Sequence, residues 1–170
     1  VSNWGGTLGL TPVKIFHKGY YNHMEESHEL LVSYGNEKIW DVLAENPRNR
    51  VVVFGEQPEM LRFPCSTQSY TDIEGSGGNF NLSSSPEALA DFFTFAGVDY
   101  IYLGSGYLKP GTDGFRNVTG LLKQGYLSDL LYENGNGLAV FSPEPRELSA
   151  EESEALLAEF TEKYWPGEQQ

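Results

Sequence analysis

The run from Ser84 to Leu103 limits the fold more than any other part of the chain. Ser84-Ser85-Pro86-Glu87 is a helix start: a serine hydroxyl accepts from the free amides of a first turn, and proline suits a position whose N–H would have no partner. Leu89, Phe92, Phe93 and Ala96 then form an apolar stripe at helical spacing. Gly97 follows the stripe, where a helix end favours a residue that accepts positive φ. Val98-Asp99-Tyr100-Ile101-Tyr102-Leu103 comes next without an intervening loop and reads as a strand. A helix turning straight into a strand folds back onto the sheet that the strand joins.

The same alternation is found on either side. Asn36 is expected to cap a helix with Ile39, Trp40 and Leu43 on one face, and Asn46-Pro47 stops it because the proline ring disfavours αR at the preceding residue. Arg50-Val51-Val52-Val53-Phe54-Gly55 is a β-branched apolar run, the pattern of a strand covered on both faces. Pro58 to Phe63 predicts a brief helix, Ser66 to Tyr70 a second strand, and Gly75-Ser76-Gly77-Gly78-Asn79 a loop. Gly104 to Gly114 reads as a long loop and Phe115 to Gln124 as a helix. Leu130-Leu131-Tyr132 and Leu138-Ala139-Val140-Phe141 flank an Asn/Gly turn and predict a hairpin. Ser149-Ala150-Glu151-Glu152 is a capping box that opens a last helix, with Leu156, Phe160 and Tyr164 on one face and Trp165-Pro166-Gly167 at its end. The fold class expected is α/β: a small, mostly parallel, Rossmann-like sheet with helices on its faces and an antiparallel C-terminal hairpin at an edge. Residues 1–35 read as an irregular N-terminal segment, and 36–170 as a single domain.

Charge narrows the partners. A formal net charge of −13 over 170 residues repels phosphate backbones, which argues against nucleic acid and against docking on anionic lipid. The first reading of such acidity is solubility. The single cysteine, Cys65, permits neither an internal disulfide nor a thiolate zinc knuckle, and reads as a small buried hydrophobe. No apolar run reaches the roughly 20 residues of a membrane-spanning helix, and the first residues lack the pattern of a signal peptide. Without an initiator Met at position 1, the chain reads as a piece cut from something longer.

Several constellations invite a chemical reading. Gly104-Ser105-Gly106 follows a strand as a dinucleotide fingerprint would, but position 109 is Lys109 and Pro110 follows, so an ordinary loop is the simpler account. Gly55-Glu56 stands where a ribose-binding turn would, without the expected glycines. Gly55, Glu56, Gly104 and Gly106 are therefore the candidate cofactor-binding positions, although no cofactor is expected. His23, Glu25, Glu26 and His28 look like metal ligands, yet the two histidines are five residues apart and do not share a helix face, so no metal site is expected. Asp72, Glu74 and Asp99, the last within a predicted strand, would suit glycoside hydrolysis only at a separation that sequence does not give. Tyr100, Tyr102, Tyr107, Tyr126 and Tyr132 crowd the C-terminal strands. Either they form the half-buried face of a sheet, or some of them, with Tyr102, Tyr107 and Tyr126 the candidates, stack on sugar rings. Asn81-Leu82-Ser83 and Asn117-Val118-Thr119 match the glycosylation sequon, which implies surface loops if the compartment permits.

Three segments together carry a family resemblance: Ile39-Trp40-Asp41-Val42-Leu43-Ala44-Glu45-Asn46-Pro47 leading into Arg50–Gly55; Ser85-Pro86-Glu87-Ala88-Leu89 leading into Gly97-Val98-Asp99-Tyr100-Ile101-Tyr102-Leu103; and Leu131-Tyr132-Glu133-Asn134-Gly135-Asn136-Gly137-Leu138-Ala139-Val140-Phe141. This order resembles the soluble C-terminal domain of multi-pass glycosyltransferases related to protein mannosyltransferases and aminoarabinose transferases. The resemblance covers roughly Asn36 to Ser142. It implies a lipid-phosphate-linked sugar donor, an extracytoplasmic position at the cell membrane, and a membrane-spanning part of the parent chain as partner. The family's catalytic acidic residue lies between early membrane helices, so no catalytic residue carries over to this chain. The domain would shape or cover the membrane-embedded site, with Trp4, Lys14, Phe16, Lys18, Tyr20 and Tyr21 just after the last span. A free-standing nucleotide- or cofactor-binding enzyme and a sugar-binding module remain the alternatives.

Overall fold

The computed structural model describes residues 35–55, 61–75 and 82–164. In chain order the elements are α1 (Glu37–Ala44), β1 (Arg50–Phe54), β2 (Ser66–Ser69), α2 (Tyr70–Gly75), α3 (Pro86–Ala96), β3 (Tyr100–Leu103), α4 (Asp113–Lys123), β4 (Leu127–Glu133), β5 (Asn136–Phe141) and α5 (Ala150–Tyr164). The strands form one mixed sheet in the order β2-β1-β3-β5-β4. β1 pairs parallel with β2 and with β3, while β3–β5 and β5–β4 are antiparallel. The expected α/β class, parallel strands and antiparallel edge hairpin are all present.

Alternation along the strands sorts the core into two layers. Val52, Phe54, Ile101, Leu103, Ala139 and Phe141 face one side, where α2, α3, α4 and α5 cover them. Val51, Val53, Tyr102 and Leu138 face the other, under Ile39 and Leu43 of α1 and Phe63. Both faces of β1 are thus dry, and that is why its sequence is a continuous apolar run rather than an alternating one.

The helix ends follow their local chemistry. Ser85 Oγ accepts from the Ala88 amide, Pro86 stands in the first turn, and Gly97 closes α3 at φ 64°. Ser149 and Glu152 exchange hydrogen bonds at the start of α5, each side chain accepting from the other's amide. α4 begins two residues before the expected Phe115, because the Thr112 hydroxyl accepts from the Phe115 amide and serves as its cap. Tyr70, expected to end a strand, opens α2 instead, its ring stacked 4.2 Å from that of Phe54. Asp99 lies just before β3 rather than in it; its carboxylate accepts from the Arg50 amide at 2.8 Å and ties the starts of β1 and β3 together.

β4 is longer than expected and carries a bulge. Leu127 pairs with Phe141 and Leu131 with Leu138, so four steps on β4 oppose three on β5. Asp129 takes up the extra residue at φ 47°. The insertion reverses the parity of the strand. Leu127, Leu130 and Tyr132 all join the α2–α5 side of the core, whereas Leu131 packs on the α1 side.

The brief helix expected from Pro58, the Gly75–Asn79 loop, the Trp165-Pro166-Gly167 stop and the irregular N-terminal segment lie largely or wholly outside the described residues. Among the described residues no helix is long and apolar enough to cross a membrane.

Candidate functional site

In an open α/β sheet the strand order β2-β1-β3 creates a switch point between β1 and β3, since the chain leaves β1 toward one side and later returns on the other. Ligands of such sheets bind outside the carboxyl ends of the strands there. Gly55 and Gly104 end those two strands. The Gly104 amide donates to the Phe54 carbonyl at 2.8 Å. A Cβ on Gly104 would stand 3.2 Å from that carbonyl, so glycine lets the two strand ends close on each other. Gly106, at φ 69°, turns the loop that follows. Glu56 lies outside the described residues.

The polar groups just after β3 are taken up by the protein's own side chains. The Tyr164 hydroxyl, at the end of α5, donates to the Gly104 carbonyl and accepts from the amides of Leu108 and Tyr107. Burial raises its pKa well above the ordinary tyrosine range. The Ser105 amide donates to Asn136 Oδ1 at 2.8 Å. Asn136 Nδ2 in turn donates to Asn36 Oδ1 at 2.9 Å, which also accepts from the Tyr102 hydroxyl at 3.4 Å. Asn36 was expected to cap α1; instead it is 1% exposed and bonds inward, and its side chain makes no cap. The cap comes from 95 residues away: Glu133 Oε2 accepts from the Lys38 and Ile39 amides at 2.9 and 3.3 Å. A carboxylate at a helix N-terminus satisfies free donors and meets the positive end of the helix dipole. Asn134 Nδ2 donates to the Gly35 carbonyl at 3.0 Å. The turn itself has positive φ at both central residues, 49° at Asn134 and 81° at Gly135, the geometry for which Asn-Gly is favoured. The segment Glu133-Asn134-Gly135-Asn136 is therefore a clamp that holds the start of α1, the hairpin and the loop after β3 as one unit.

An open pocket of about 320 Å³ is lined by Tyr70, Tyr107, Leu108, Thr112, Asp113 and Gly114. Its polar groups serve the fold. The Tyr107 hydroxyl bonds Thr71 Oγ1 at 2.9 Å, Thr112 Oγ1 donates to the Lys109 carbonyl at 2.7 Å, and Asp113 pairs with Arg116 at 2.7 Å.

The tyrosine candidates do not form one surface. Tyr102 is 2% exposed and lies under Phe63, with burial pushing its pKa up to about 12. Tyr126 is half-buried and stacks on Phe141 at 6.0 Å. Tyr107 is half-buried on the loop above the pocket. Cys65 is half-buried against the α1 side of the core, and burial first, then the nearby Asp99 charge, pushes its thiol up to about 11. Such a thiol is a poor nucleophile. Asn117 does not occupy a surface loop: it is 0% exposed within α4 and donates to the Ser83 carbonyl at 2.7 Å and to the Tyr70 hydroxyl at 3.1 Å. That sequon belongs to the core. His23, Glu25, Glu26, His28 and Asn81 fall outside the described residues, among which no group of three or more His, Cys, Asp or Glu converges as metal ligands would. No protein-family model matches the chain, and no curated protein or solved structure matches it either.

Proposed function

We propose that this chain is a non-catalytic, Rossmann-like extracytoplasmic module of a membrane glycosyltransferase that uses a lipid-phosphate-linked sugar, and that it shapes or covers an active site built by other parts of the parent chain. One observation carries the reading. In the segment behind the family resemblance, Glu133, Asn134 and Asn136 grip the first amides of α1, the Gly35 carbonyl and the Asn36 side chain. These bonds fix Gly35 and the start of α1 against the hairpin. In this reading the polypeptide before Gly35 leads to the membrane, and the carboxyl edge of the sheet faces it. The Tyr164 hydroxyl on the Gly104 carbonyl fits a scaffold, since a nucleotide at the β1–β3 switch point would have to displace it from a bond it already makes.

The experiment is made in the parent glycosyltransferase. Glu133→Ala together with Asn134→Ala, in protein shown by protease resistance to be folded, should cut sugar transfer severalfold while donor binding is retained. Unchanged transfer would refute the role given to the clamp. A second reading, a nucleotide- or cofactor-binding enzyme, draws on the switch point and the pocket next to Tyr107. Thermal stabilisation by a nucleotide or S-adenosylmethionine, lost on Tyr107→Ala, would favour it over the module.

A further inference from the structure

The hairpin holds Asn134-Gly135-Asn136-Gly137, two asparagine–glycine steps in succession. Such a step is open to a reaction of its own. The backbone nitrogen of the glycine attacks the side-chain amide carbon of the asparagine, and a residue without Cβ does nothing to screen that approach. Sequence does not separate the two steps, but the structure does. Asn136 is locked: it is 8% exposed, its Oδ1 accepts from the Ser105 amide, and its Nδ2 donates to Asn36 Oδ1. Gly137, which would supply the attacking nitrogen, lies in β5 between two strands, paired with Leu103 on one side and Tyr132 on the other. Its backbone cannot rotate toward Asn136 without breaking the ladder. Asn134 is the reverse case. It is exposed, and among the described residues its side chain is tied by one bond, from Nδ2 to the Gly35 carbonyl at 3.0 Å. Gly135 stands in the two-residue turn between β4 and β5, outside both strands, so the turn can flex without unpairing the sheet.

We propose that Asn134 is a site of spontaneous deamidation, and that the change releases the hairpin's grip on the start of α1. The Gly135 N–H gives its proton to hydroxide, and the nitrogen bonds Asn134 Cγ. The Cγ–Nδ2 bond then breaks, and Nδ2 leaves as ammonia after taking a proton from water. Water opens the resulting cyclic imide at either carbonyl. One product is aspartate. The other is β-linked aspartate, whose main chain runs through Cβ and Cγ and is longer by one atom. Both products lose the donor to Gly35 and set a carboxylate, which only accepts, against that carbonyl. Both add a negative charge next to Glu133 in the chain. The β-linked form also lengthens a two-residue turn whose geometry sets the pairing of the strands, which draws Glu133 away from the Lys38 and Ile39 amides that it caps.

The test is to hold the chain for days at mildly alkaline pH, folded in one sample and in urea in another, and to map the products by peptide mass spectrometry. In the folded chain the mass gain of an amide turned to an acid should fall on Asn134 and not on Asn136. In urea both positions should react. The deamidated fraction of the folded sample, separated by its extra charge, should exchange the Lys38 and Ile39 amide hydrogens about tenfold faster than fresh chain, the effect of losing a charged hydrogen-bond partner. The proposal is overturned if Asn134 stays intact in the folded chain while the urea sample reacts, or if the two asparagines react equally fast in the folded chain. A deamidated fraction whose α1 amides exchange at the fresh chain's rate overturns the release of the grip.

Discussion

Replacing Asn136 with alanine removes the centre of the clamp. Its side chain is 8% exposed and makes two bonds, accepting from the Ser105 amide and donating to Asn36 Oδ1. Each bond contributes about 1 kcal/mol net, and a buried polar group left without its partner adds to the loss. Asn36 is 1% exposed and its Oδ1 is left with the long 3.4 Å bond from Tyr102, so part of that penalty applies. The expected cost is about 2–3 kcal/mol, which in a chain of this size lowers Tm by about 5–10 °C. Urea denaturation followed by circular dichroism, with Asn136→Ala, Asn36→Ala and the double variant, separates the pair from its surroundings. A coupling of about 1 kcal/mol between the two sites is expected. Single variants that each cost under about 0.5 kcal/mol, or costs that simply add, would refute the claim that these asparagines hold the carboxyl edge together.

Other outcomes follow from single positions. Gly120→Ala in α4 should destabilise, although alanine normally gains about 1 kcal/mol over glycine in a helix, because its Cβ would run into the Pro86 ring of α3; chemical denaturation gives the sign. Asp129→Gly should be neutral or mildly stabilising and Asp129→Val should cost about 1–2 kcal/mol, since φ is 47° at the bulge, and thermal melts rank the two. Ser85→Ala should cost about 1 kcal/mol through loss of the α3 cap, again by denaturation. Cys65 and Tyr102 have folded pKa values raised from 9.0 to about 11 and from 10.0 to about 12, so the unfolded chain loses these protons first. Their contribution is complete below pH 9 and is lost as pH climbs through 9–12, which unfolding at stepped alkaline pH would reveal. A flat profile across that window would contradict the burial of both groups.

The parts of the fold that sequence expresses are those set by neighbouring residues. The α3–Gly97–β3 unit is legible because cap, stripe and stop lie within fourteen residues of one another, Ser84 to Gly97, and β1 because a strand covered on both faces must be apolar throughout. The capping box at Ser149 and the Asn-Gly hairpin are local for the same reason. What escaped reading depends on residues far apart in the chain. Nothing near Asn36 announces that its side chain turns inward to Asn136, or that Glu133 caps α1 in its place. Asn117 fits a surface sequon until α4 carries it beneath Ser83 and Tyr70. The bulge at Asp129 leaves only a shift in apolar parity between Leu127 and Leu130 as its mark in the sequence. Of the candidate site, the two glycines at the strand ends were legible, because a loop after a strand needs them. The bond from Tyr164 was not, since 60 residues separate it from Gly104.

The most direct test compares sugar transfer from a lipid-phosphate-linked donor by the isolated 170-residue chain and by the membrane glycosyltransferase of which it is proposed to be a module. If the proposal holds, the isolated chain shows no turnover, and transfer by the proposed full-length enzyme falls when the Glu133–Asn134 clamp is broken. Turnover by the isolated chain that disappears on changing one of its own side chains would contradict it.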